Sequence, residues 1–196
     1  FRITHRFGDA GVPNAAQTFY GIDNANDIRI SFDYGLTDNL TIGIGRSKYN
    51  QVVDGNFKWR FLKQTKDFKI PVSIALYSCA GVTTMDENNI YQGLEVDKKT
   101  FEHRISYFTE LIIASKLTDW LSLEILPGYS HRNFVKAAIN YDNGNAEEQN
   151  GMFVCGFGGR IRLTKRFCLV AAYYPVFSKF REKNKATPYT APLAVG

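Results

Sequence analysis

Apolar and polar residues alternate along most of this chain, and a period of two predicts half-buried strands. In residues 1–7, Phe1, Ile3 and Phe7 oppose Arg2, Thr4 and Arg6. From Asp27 to Tyr34, Ile28, Ile30, Phe32 and Tyr34 oppose Asp27, Arg29, Ser31 and Asp33. Leu40, Ile42 and Ile44 oppose Thr41, Gly43 and Gly45, and the two glycines on one face predict close packing in a narrow barrel or a bend. Further strands are expected at about Asn56 to Lys63, from Pro71 onward, from about His103 to Ser115, from Leu121, from Phe153 to Leu163 and from Phe167 to about Phe177. Glu110-Leu111-Ile112-Ile113-Ala114 is also compatible with a helix, but no helical spacing is sustained elsewhere, and it reads as strand.

The punctuation between these segments is unequal. Leu36-Thr37-Asp38-Asn39-Leu40, Leu117-Thr118-Asp119-Trp120-Leu121 and Leu163-Thr164-Lys165-Arg166-Phe167 repeat one phrase, with turn-forming residues that bond their own backbone. Lys66-Asp67-Phe68-Lys69 predicts a fourth short turn. Between them lie long stretches rich in Asn, Gly and Asp: about 8–25, 83–100, 136–150 and 181–192. Short turns on one side and long loops on the other point to an all-β, antiparallel, up-and-down transmembrane β-barrel in the outer membrane. About nine strands are legible, whereas single-chain bacterial barrels close with an even number and an open edge is unstable in lipid. The expectation is one barrel domain over residues 1–196, with about 10–12 strands in the full protein and C-terminal strands missing here. The start at Phe1, inside a strand and without Met or signal peptide, reads as a mature or trimmed chain.

Composition narrows the picture without naming a ligand. Mean hydropathy is −0.24 and no apolar run reaches the ~18 residues of a spanning helix, which leaves barrel strands open. Aromatic residues make up 14%, as an interfacial belt or a β-sandwich core would require. The net charge of +5 is spread along the strands, so a nucleic-acid partner is not supported. Outward cations near the rim could meet lipopolysaccharide phosphates, and inward ones could favour anions. Cys79, Cys155 and Cys168 have no metal-site spacing and read as packed free thiols.

No catalytic, metal or cofactor constellation emerges. His5, His103 and His131 fall near outer strand ends and read as interfacial residues among aromatics rather than ligands or acid–base groups. His131 follows Ser130, so the two side chains point to opposite faces and form no catalytic pair. Gly156-Phe157-Gly158-Gly159 lies within an alternating strand, not at a phosphate-cradling turn. The candidate functional set is the polar-face charge network of Arg29, Asp33, Lys58, Arg60, Arg104, Glu110, Glu124, Arg160 and Arg162. It could plug a narrow barrel, line a pore or hold an anion, and the small interior of a 10–12-stranded barrel favours the plug.

Phe19-Tyr20-Gly21-Ile22-Asp23-Asn24-Ala25, Phe32-Asp33-Tyr34-Gly35-Leu36-Thr37-Asp38, Leu40-Thr41-Ile42-Gly43-Ile44-Gly45-Arg46-Ser47 and Tyr49-Asn50 through Asp54-Gly55 are similar to a family of Bacteroidota β-barrel proteins of unknown function (DUF5777-like). The resemblance covers most of residues 5–80 and extends to Pro192-Leu193-Ala194-Val195-Gly196. It implies an outer-membrane location and carries no catalytic residue onto this sequence. The expected function is a non-enzymatic outer-membrane barrel, acting as a small pore, a ligand-binding barrel or a component of an envelope assembly. Its expected partners are outer-membrane lipid, lipopolysaccharide and other envelope proteins. The competing reading is a soluble lipocalin-like barrel for an apolar ligand, and phase separates the two: apolar residues outward mean membrane, inward mean a pocket.

Overall fold

The alternation resolves into an antiparallel meander. The computed structural model describes residues 1–8, 15–23, 25–91, 98–135, 138–139, 146–147, 149–177 and 193–195. In chain order the strands are β1 (Arg2–Phe7), β2 (Ala25–Gly35), β3 (Leu40–Ser47), β4 (Val52–Leu62), β5 (Ser73–Thr83), β6 (Ile105–Lys116), β7 (Leu121–Arg132), β8 (Ala138–Ile139), β9 (Ala146–Glu147), β10 (Gly151–Arg162), β11 (Cys168–Tyr173), β12 (Val176–Phe177) and β13 (Leu193–Val195). The main sheet runs β1-β2-β3-β4-β5-β6-β7-β10-β11-β13, with β12 on β10, while β8 and β9 pair as a separate ribbon. Every recorded pairing is antiparallel between neighbours, as in an up-and-down barrel wall. Among the described residues β1 pairs with β2 alone and β13 with β11 alone, so the sheet is a curled half-barrel. The 12-residue strands β6, β7 and β10, at about 3.3 Å per residue and a tilt of about 40°, cover roughly 30 Å, the depth of a hydrocarbon core.

The repeated phrase folds the same way three times. Thr37 Oγ1 accepts from the N–H groups of Asn39 (3.2 Å) and Leu40 (3.0 Å). Thr118 Oγ1 does so for Trp120 (3.3 Å) and Leu121 (3.0 Å), and Thr164 Oγ1 for Arg166 (3.2 Å) and Phe167 (3.0 Å). In each copy the two N–H groups that open the turn donate to the carbonyl that closes it. The next strand then joins: the Arg60 N–H donates to Asn39 O and the Arg162 N–H to Trp120 O. The fourth turn, at 65–70, closes through Thr65 N–H to Ile70 O (3.0 Å), with Phe68 in the left-handed region at φ 58°.

Cross-strand register sorts the residues into two faces. Tyr34, Ile42, Phe57, Ser78, Thr109, Tyr129, Phe153 and Phe177 form one continuous row of the outer face. Ser31, Gly45, Asp54, Gly81, Ser106 and Arg132 form a row of the inner face. The apolar face is the exposed one: Phe32 is 60%, Ile44 59% and Phe153 67% accessible, against 0% for Ser31 and 6% for Asp54. A lipocalin-like soluble barrel needs the reverse phase. Three inward apolar side chains, Ala75, Ile112 and Leu126, share a lower row, so the Leu111-Ile112-Ile113 run faces both sides of β6.

Several boundaries differ from the sequence reading. β4 begins at Val52 rather than Asn56, because the crossing from β3 needs only the short 3-10 turn Tyr49–Gln51, with Asn50 and Gln51 at positive φ. Pro71 lies outside β5, its carbonyl accepting from Ser115 Oγ (2.7 Å). β6 starts at Ile105, since Phe101–Arg104 forms a 3-10 turn that takes His103 and Arg104 off the strand. A one-turn helix, Glu87–Tyr91, interrupts the loop after β5. The last expected strand is broken between β11 and β12. The expected loop at 181–192 lies outside the described residues, and beyond it β13 pairs with β11.

Candidate functional site

Glycines on β3 and β10 set the geometry of the inner face by letting long side chains lie flat against the wall. A Cβ on Gly45 would collide with the Arg29 guanidinium, one on Gly43 with the Asp33 carboxylate, and one on Gly158 with the Glu124 carboxylate. Arg29 crosses over Gly45 to grip Asp54 on β4 with both arms, Nε to Oδ2 at 3.0 Å and Nη2 to Oδ1. The fork-to-carboxylate geometry is the strong, directional form of such a pair. Cys79 Sγ lies 3.8 Å from the same carboxylate. Towards β1 the pattern repeats more loosely: Arg2 meets Asp33 at 3.3 Å and Arg6 meets Asp27 at 3.6 Å.

The remaining charges of the expected set are dispersed. Glu110 and Glu124 are neighbours on the inner face near the ring of Tyr174, which lies over Gly156. Glu110 Oε2 is buried, with no hydrogen-bond partner among the described residues. Lys58, Arg160 and Arg162 are exposed and make no ion pair among the described residues. Arg60 caps the first short turn through Asn39 Oδ1 (3.0 Å) and Asp38 O (2.9 Å). Arg104 leaves the strand row; its Nη1 donates to Thr83 O (3.3 Å) and Met85 O at the long-loop end.

Asp54 and Asp27 are absent from the expected set although they are the most buried carboxylates described. The signal for Asp54 was present: Val53, Phe57 and Trp59 run outward, which places Asp54 inward once β4 is extended past Gly55. Asp27 was legible as polar-face, but its tie to Tyr49 N–H (2.9 Å) depends on how β2 meets the following connection.

Two cavities occupy the long-loop end. The upper, about 410 Å³, is bounded by Tyr49, Asn50, Asn89, His103, Arg104 and Arg132 among others. The deeper, about 450 Å³, reaches the Arg29–Asp54 pair and shares Tyr49, Val52, Ser106 and Arg132 with the upper one. Among the described residues no group of His, Cys, Asp and Glu is arranged to hold a metal, and no helix is long and apolar enough to cross a membrane.

Apolar residues outward, charges inward and a sheet of membrane-spanning height accord with a family model, the membrane bound beta barrel domain (DUF5777), which matches residues 1–196. The chain belongs to this family. No curated protein and no solved structure matches it. In this membrane-bound barrel domain the histidines sit among aromatic rings. His131 stacks on Tyr107 at 4.9 Å and 18°, His5 lies beside Phe7, and His103 packs between Tyr91 and Phe134. Ser130 registers with inner Phe108 and His131 with outer Tyr107, so they face apart. Cys79 and Cys155 are half-buried free thiols, while Cys168 is exposed at the start of β11 rather than packed.

Proposed function

We propose that this chain forms the wall of a non-enzymatic outer-membrane β-barrel whose inner face binds or passes small polar solutes. The supporting observation is the pair of cavities that share Tyr49, Val52, Ser106 and Arg132 on the charged inner face at the long-loop end. Polar side chains converging on a cleft of a few hundred cubic ångströms suit a small ligand. An outer-membrane address is supported by the pattern of short turns, long loops and alternating strands, which is that of outer-membrane barrels. A non-enzymatic role fits the engagement of all three histidines with neighbouring rings. The partners are outer-membrane lipid along the apolar rows, lipopolysaccharide phosphates at the rim and other envelope proteins; no nucleic acid is involved.

Migration in SDS with and without boiling tests the barrel, and conductance in planar bilayers tests the lumen. A folded band that shifts on boiling, from protein extracted only by detergent, is expected. Stepwise conductance would make it a pore; a closed bilayer with solute binding would make it a ligand-binding barrel. Full-length protein that is water-soluble and shows no shift would overturn the reading.

A further inference from the structure

Charge in the two cavities does not balance. Among the described residues, the upper one is lined by Arg104, Arg132 and His103 and by no carboxylate. The deeper one contains Asp27 and Asp54, but Arg6 and Arg29 already hold both. Arg132 borders both cavities, and its guanidinium has no hydrogen bond or ion pair among the described residues. Arg104 is held in place through Nη1, with no acceptor among the described residues for its other donors. Beside the two guanidiniums stands a ring wall. His103 and Phe134 lie 5.2 Å apart at 34°, both braced edge-on by Tyr91, whose hydroxyl meets His103 Nδ1 at 3.1 Å. Asn50 and Ser106 add side-chain hydrogen-bonding groups, and Asn89, its amide nitrogen given to Asp86, has its Oδ1 left to accept.

We propose that the upper cavity is a binding site for a monosaccharide phosphate, with the phosphate between Arg104 and Arg132 and the sugar ring against His103 and Phe134. Guanidinium forks suit phosphate oxygens, ring faces suit the apolar face of a sugar, and amide and hydroxyl groups suit its hydroxyls. The cavity opens on the inner face, opposite the lipid-facing rows, so the ligand is a diffusible solute rather than a lipid headgroup. The site rests on the barrel reading above and names its ligand class.

Isothermal titration of the full-length, heat-shifting barrel in detergent tests the site with glucose 6-phosphate, glucose and inorganic phosphate as probes. Saturable binding of glucose 6-phosphate is expected, with glucose and inorganic phosphate each markedly weaker. Arg132→Gln is expected to weaken glucose 6-phosphate binding about tenfold or more, and Phe134→Ala to weaken it while leaving inorganic phosphate unchanged. Should Arg132→Gln fail to fold, wild-type affinity must still fall as salt rises. A heat-shifting barrel that takes up no glucose 6-phosphate, or binds it regardless of salt and of Arg132, overturns the site while leaving the barrel intact. Full-length protein without a heat shift overturns both.

Discussion

Asp54 is the residue on which the inner face turns. Its carboxylate takes both arms of Arg29 at a position 6% exposed, and removing one member of such a pair leaves the other charge stranded. Asp54→Asn is expected to destabilise the folded barrel by about 3 kcal/mol, more than Asp33→Asn, because Arg2 at the outer side of that looser pair is largely exposed. Urea-dependent refolding into detergent micelles reads the difference. Equal losses at Asp54 and Asp33 would show that the Arg29 fork adds nothing to the pair. Sequence alone placed Arg29 and Asp33 on one face, yet their partners come from different strands, Asp54 from β4 across β3 and Arg2 from the adjacent β1. Which opposite charge a guanidinium meets depends on register and on the space a glycine leaves, and a single strand's pattern encodes neither.

At the scale of the element, the threonine of each repeated turn serves as an internal acceptor for two N–H groups. Thr118→Val keeps the shape and removes both bonds, and at an exposed turn the cost is expected to be about 1 kcal/mol. The folded fraction in urea checks it, with Thr37→Val and Thr164→Val expected to behave alike because their geometry repeats. Asp119 in the same turn is held below the ordinary aspartate range by the hydrogen bond and charge of Lys116 Nζ, 2.7 Å away, and by Arg162. A depressed carboxylate stabilises above its unfolded pKa, and the contribution is lost as pH falls through the lowered folded value. NMR titration of Asp119 should therefore show a depressed midpoint that rises in Lys116→Met; an unmoved midpoint would remove Lys116 as its cause. These turns were legible because the phrase repeats and their bonds are local. The displaced starts of β4 and β6 were not, because 3-10 turns leave no period to read and owe their place to the sheet's curl around them.

For the whole molecule, the consequence of phase is a lipid-facing wall. Ile125 lies mid-strand on the outer face, paired with Ile113 and Phe157, and is 47% exposed. Ile125→Arg puts a cation at mid-bilayer depth and is expected to cost about 2–4 kcal/mol of membrane-inserted stability, whereas Leu163→Arg beside the third short turn should cost far less. Refolding yield into lipid vesicles distinguishes them, and equal yields would mean that this face does not meet hydrocarbon. Taken by itself, the sequence determined the all-β meander, four short turns and the two faces, because alternation and turn chemistry are local and survive without knowledge of neighbours; which of the two faces is exposed only the structure decided. Tertiary structure alone decided the Arg29–Asp54 grip, the removal of Arg104 from the strand row, and the cavities in which Tyr49, His103, Arg132 and Phe134 converge. Those cavity residues come from three separate stretches of the chain, around 49, 103 and 132–134, and only the curl and register of the sheet bring them to one rim.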